Sequence, residues 1–161
     1  MNNHEVQISL SITPTWTILK EVQKKIEDFM NKKRFSTELI EASIMCASEL
    51  VENAIKYGSA GTDQDNIKFD LKTENGRIVI KVSNGVKDER DFLNVKERVD
   101  KLKKSKNPAE LYMERLKELM ESPKPGESQL GLYRIAYEGE FKLDYTFQGV
   151  LLTVIAERGY S

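Results

Sequence analysis

The sequence predicts an α+β fold, a two-layer sandwich in which one mixed, mostly antiparallel sheet carries helices on one face. Two observations support that expectation. Apolar residues alternate with polar ones in short runs near both ends and in the middle of the chain, the period of a half-buried strand, and they recur at helical spacing in between. Asn75-Gly76 joins two of the alternating runs and supplies the two positive-φ positions of a tight antiparallel hairpin.

Over residues 5–12, Val6, Ile8 and Leu10 fall on one side and Gln7 and Ser9 on the other, which gives a first strand. Thr13 and Pro14 read as the cap and first turn of a helix that runs to about Lys32, with Ile18, Leu19, Val22, Ile26, Phe29 and Met30 on one face. Ser36 and Thr37 each offer an oxygen to the open N–H groups of a second helix. Its apolar positions Leu39, Ile40, Ile44, Ala47, Val51 and Ala54 lead to a stop at Gly58. Residues 59–66 have loop composition. In the hairpin, Ile67, Phe69 and Leu71 face the same way as Ile78, Ile80 and Val82. The charge-dense residues 88–106, with the thin stripe Phe92, Val95, Val99 and Leu102, and residues 108–120, with Leu111, Leu116 and Leu119, read as two surface helices. Pro123, Pro125 and Gly126 then break helical continuity. A short helix over 129–137 leads to a strand with Phe141, Leu143, Tyr145 and Phe147, a turn at Gln148-Gly149 and a closing strand over 150–156. No stretch reads as a linker or a repeat, so residues 1–161 are expected to form a single domain.

Composition excludes several classes. Lys and Arg number 25 against 26 Asp and Glu, and the net charge of -1 creates no global field for nucleic acid or an anionic membrane. The basic residues Lys96, Arg98, Lys101, Lys103, Lys104 and Lys106 are interrupted by Glu97 and Asp100, the pattern of a solvated helix face. No apolar run approaches the ~18 residues of a membrane span, and the opening MNNHEVQISLSI lacks the basic leader and apolar core of a secretory signal. One cysteine, Cys46, and one histidine, His4, leave no disulfide, zinc cluster or Ser-His-Asp triad to expect, and a reducing cytoplasm is the expected compartment. Cys46 has no basic residue one turn away and reads as a packed thiol.

The second helix carries the chemistry-bearing pattern. At ~100° per residue, Glu49, Asn53 and Lys56 fall within roughly 60° of one another, opposite Ile40, Ile44, Ala47, Val51 and Ala54. One reading is a solvated face. The other is functional: Glu and Asn one turn apart supply a general base and a neutral oxygen ligand for a hard cation such as Mg²⁺. Ala42, Met45 and Cys46 share or border that side, and Asn has poor propensity in a helix interior.

The string ASELVENAIKYG, residues 47–58, resembles the N-box helix of the histidine-kinase-like ATPase superfamily, the Bergerat fold shared by sensor kinases and bacterial anti-sigma-factor serine/threonine kinases. The order of elements resembles the anti-sigma-factor kinases over nearly the whole chain. That resemblance implies a general-base or acceptor-orienting role for Glu49, and Mg²⁺ held by Asn53 against the phosphates of ATP. It places Lys56 in the same cofactor set. It also implies a homodimer and a protein partner, an antagonist domain or a sigma factor, with Trp16, Phe92 or Tyr112 as interface anchors.

The nucleotide motifs depart from the family pattern. Where the family reads Asp-x-Gly-x-Gly, this chain reads Ser83-Asn84-Gly85-Val86-Lys87, so Ser83 stands in for the adenine-binding carboxylate and Lys87 for the second glycine. Losing a charge-assisted hydrogen bond costs about 1.5–3 kcal/mol. In the second glycine motif, residues 127–132, Gly131 remains, with Glu127 and Gln129 where backbone freedom and a phosphate are expected and Gly126 one place out of register. A local reading of Gly131-Leu132 is close packing of the helix against the sheet. The expectation is therefore a signalling protein that docks a partner with weak or absent ATP and Mg²⁺ binding, the alternative being a working Ser/Thr kinase.

Overall fold

In the computed structural model, which describes residues 6–13, 17–57, 67–86, 88–122 and 130–160, alternation and helical periodicity produce ten elements. They are β1 (Val6–Ile12), α1 (Ile18–Lys32), α2 (Thr37–Tyr57), β2 (Ile67–Glu74), β3 (Arg77–Gly85), α3 (Glu89–Lys104), α4 (Pro108–Glu121), α5 (Gly131–Tyr137), β4 (Lys142–Gln148) and β5 (Leu151–Gly159). The strands form one sheet in the order β1-β2-β3-β5-β4, and every neighbouring pair is antiparallel.

The pleat sorts the strand side chains. Phe69, Val82 and Val154 form one cross-strand row, Leu71, Ile80, Ala156 and Leu143 the next, and all are buried against helices. The opposite face carries rows such as Lys72, Val79, Glu157 and Lys142. Asn75 and Gly76 have φ of 52° and 74°, as a two-residue type I′ turn demands. The second hairpin turns on Gly149-Val150, one residue later than expected, because Gln148 still pairs with Leu151. Gly149, at φ 64°, takes the first loop position, where positive φ is cheapest for glycine.

The helix α2 lies on the inner face through Leu39, Ile40, Ala47, Leu50, Val51 and Ala54, with Ile44 half-buried. Ser36 caps it, its Oγ accepting from the Leu39 N–H at 3.2 Å. Its predicted stop, Gly58, lies outside the described residues, as do Pro14 and Trp16. Next to it, α1 starts at Ile18, later than the Thr13-Pro14 pair suggests, and its N-cap residue Thr17 makes no side-chain capping bond. Val22, Ile26 and Met30 of α1 are buried, and Gln23 Nε2 donates to Ser48 Oγ at 2.9 Å across the pair. Arg158 of β5 ties the first turn of α2 down, reaching both Glu38 oxygens at 2.8 and 2.9 Å and donating to the Gly139 carbonyl at 2.9 Å.

The sequence reading made α3 and α4 surface helices, and the structure corrects half of that. Val95, Val99 and Leu102 of α3 are buried where the helix covers β4 and α5, with Phe92 stacked on Phe147 at 3.9 Å between centroids. In contrast, α4 has no buried residue and rests on α5. The difference is where the stripe points, since both helices are polar on average.

Val51 is 0 % exposed between α2 and the sheet. Val51→Asp places an unpaired carboxylate there and is expected to cost about 4 kcal/mol or more. Urea denaturation reads this as a lost or greatly lowered transition, and a cooperative transition at the wild-type midpoint would contradict the packing.

Candidate functional site

Glu49 and Asn53 sit one turn apart on α2, on the side that α5 and α3 approach. The approach of α5 depends on Gly131. A Cβ at that position would run into the Glu49 carboxylate, so only a residue without a side chain lets α5 start there with Glu49 where it is. One turn on, Arg134 Nη1 donates to Glu49 Oε1 at 3.4 Å, while its Nε donates to Glu138 Oε2 at 2.6 Å. The sequence reading packs Gly131 against the sheet; in the structure the residue instead faces the Glu49 carboxylate of α2.

The Glu49 side chain keeps 19 % of its surface exposed. Burial pushes its carboxyl above the ordinary value, the Glu52 carboxylate adds to that, and Arg134 offsets part of it by charge and hydrogen bond. Cys46 is completely buried, and burial first and Glu49 second push its thiol well above its ordinary range, so it stays neutral in the core.

Ser83 does not join these residues. It lies on the opposite face of the sheet, its hydroxyl sharing a 2.7 Å hydrogen bond with Thr153 Oγ1. The pleat is the reason: Val82 points to the helices, so the next residue points away and Asn84 points in. Asn84 is 7 % exposed, its Nδ2 donates to the Gly85 carbonyl at 3.0 Å, and it faces the same small cavity as Asn53. Sequence reasoning passed over Asn84, although alternation counted from Val82 would have found it. Gly85 ends β3 opposite Leu151, and Lys56 is exposed on α2. Lys87, Gly126, Glu127, Gln129 and His4 lie outside the described residues. Asp91, on the apolar stripe of α3 one turn before Val95, also faces the cavity; burial and then Asp88 raise its carboxyl, and Arg90 offsets this. Of the expected interface anchors, Phe92 is stacked within the chain and Tyr112 packs on Tyr137 at 5.3 Å.

The cavity between Asn53 and Asn84 measures about 20 Å³ and is closed by Leu50, Val86, Val95, Leu132, Leu152 and Val154. It has room for about one water, whereas small-molecule pockets run to ~300 Å³ and more. Among the described residues no group of three or more His, Cys, Asp and Glu is placed to hold a metal ion. Among the described residues, the space beside Asn53 is too small for ATP with Mg²⁺. What the site offers chemically is a half-buried carboxylate held by a guanidinium, with a proton affinity above that of an exposed glutamate.

A family model described as a histidine kinase-like ATPase domain matches residues 12–137. Among solved structures, a chain of the SiaB–SiaC complex from Pseudomonas aeruginosa is similar in fold, with a TM-score of 0.71 at 12 % identity over 95 % of this chain and 88 % of that one. No curated protein sequence matches the chain.

Because the Glu49 carboxyl is raised in the folded state, its contribution favours folding below the ordinary value of about 4.5 and is lost as pH rises through the folded-state value. Glu49→Gln removes that dependence. The stability of this variant relative to wild type is expected to grow as pH is raised from about 4 toward 7, read as the difference in urea midpoints. A difference that is flat or shrinks over that range would contradict the assignment.

Proposed function

The chain belongs to the histidine kinase-like ATPase domain family, and on that premise we propose that it is a signalling regulator of the partner-switching kind. In this reading it docks a protein partner and binds ATP and Mg²⁺ weakly or not at all. The observation that carries the reading is the space of about 20 Å³ beside Asn53. The side chains that close it come from α3, α5 and both central strands, so opening it to nucleotide size means separating packed elements rather than turning one rotamer. That the similar solved chain comes from a complex of two proteins supports a protein ligand here. The reading includes a homodimer, a partner that is an antagonist domain or a sigma factor, and a cytoplasmic location. Among the described residues no helix is long and apolar enough to cross a membrane.

A second reading, a Ser/Thr kinase acting on an antagonist protein, is favoured by one observation: Glu49, the residue matched to the family's base, has a raised carboxyl one turn from Asn53. Calorimetric titration with ATP and Mg²⁺ separates the two. The docking reading expects a dissociation constant of about 1 mM or weaker and no change on Asn53→Ala. Micromolar binding abolished by Asn53→Ala, with phosphate transfer to a partner serine lost in Glu49→Gln, would replace it with the kinase. Light scattering is expected to give twice the chain mass, and a monomer at high concentration would remove the homodimer.

A further inference from the structure

The face of the sheet turned away from the Glu49 site is not a plain solvated surface. A groove of about 930 Å³ is bordered by outward residues of β2, β3 and β5 and the junction of α3 with α4, and it runs past the start of the edge strand β4 to Leu143, Leu102 and Ala136 on the inner side. Six cations line it: Lys72, Arg77, Lys81, Lys103, Lys106 and Lys142. The three carboxylates in its walls are already engaged. Glu74 pairs with Lys72 at 3.0 Å, Asp144 with Lys103 at 3.0 Å, and Glu157 with Arg77. Among the described residues no ion pair joins Lys81, Lys106 or Lys142, and the cations in the lining outnumber the carboxylates by six to three in a chain whose net charge is -1. Between the lysines the floor is aliphatic, formed by the partly buried Val79 and Ile155 on adjacent strands.

We propose that this groove docks an acidic segment of a protein partner, in which carboxylates meet Lys81, Lys106 and Lys142 and interleaved apolar side chains lie on Val79 and Ile155. Charge complementarity selects the sign of the ligand, and the aliphatic floor selects a peptide over a bare anion. A nucleic acid fits less well. Glu74, Asp144 and Glu157 repel a continuous phosphate backbone, and the one aromatic ring in the wall, Phe141, is 2 % exposed and offers no stacking platform. The existence of a protein ligand rests on the docking reading above, whereas its place and chemistry rest on the groove.

The probe is a fluorescein-labelled peptide alternating glutamate and valine, titrated with the full chain and followed by anisotropy. Saturable binding is expected, weakened about tenfold by combined Lys81→Ala, Lys106→Ala and Lys142→Ala, weakened further by added salt, and unchanged by Glu49→Gln. Lys106 and Lys142 are exposed and Lys81 is half-buried on the outer face, and an unchanged urea midpoint certifies the fold of the triple variant. The converse variant, with glutamate at the three positions, is expected to bind a lysine-valine peptide instead. Absence of saturable binding, equal binding to the triple variant, or tighter binding of a single-stranded oligonucleotide overturns the proposal. Capture of a protein partner equally by wild type and triple variant overturns the groove while leaving the docking reading in place. Peptide binding in the groove alongside ATP-dependent phosphate transfer would do the reverse.

Discussion

The missing side chain at Gly131 lets α5 begin against the Glu49 carboxylate, and much of the site follows from that approach. With α5 this close, Arg134 reaches Glu49 and Leu132 enters the space beside Asn53. The same seven-residue helix supports α4, contacts α3 and leads into β4, so it also places the elements that frame one end of the outer groove. A larger residue at Gly131 would first displace the far end of the Glu49 side chain, which is flexible, and would therefore act on the site before it acted on the core.

At Glu49 two opposed effects meet. Burial and the neighbouring Glu52 disfavour the charged carboxylate, and the guanidinium of Arg134 favours it; the balance falls on the side of burial. The long 3.4 Å contact and the sharing of Arg134 with Glu138, which holds it at 2.6 Å, explain why the ion pair does not win. A carboxylate in that position is suited to taking a proton, yet the space in front of Asn53 holds about one water. The chemistry of the residue and the volume beside it thus point in different directions, and volume decides the reading because most of the described residues that line the cavity belong to the packed core.

The sheet divides the molecule into two unlike sides. Its inner face is sealed by α2, α3 and α5, with full burial at Phe69, Leu71, Ile78 and Ile80. Its outer face carries rows of charge with Val79 and Ile155 among them, and in the groove the cations outnumber the carboxylates. Because side chains alternate strictly between faces, a change at Lys81 or Lys142 leaves the inner packing untouched, and a change at Val82 or Leu143 does the opposite.

Local pattern determined much of this protein. The alternation in β2 and β3, the Asn75-Gly76 turn, the Ser36 cap and the two-sided α2 were all legible, because each depends on residues a few positions apart. The N-box string on α2 also carried the family. The inward placement of Asn84 in place of Ser83 was legible too, from the period of its own strand. Tertiary structure alone decided the rest. Glu49 and Arg134 are 85 positions apart, and they meet only because α5 packs on α2. The burial of the α3 stripe, the closure beside Asn53 and the surplus of lysines in the outer groove have the same origin. Each is a sum over side chains from several distant elements, and such a sum leaves no period in the sequence because the sequence orders neighbours along the chain, whereas cavities and ion pairs are set by neighbours in space.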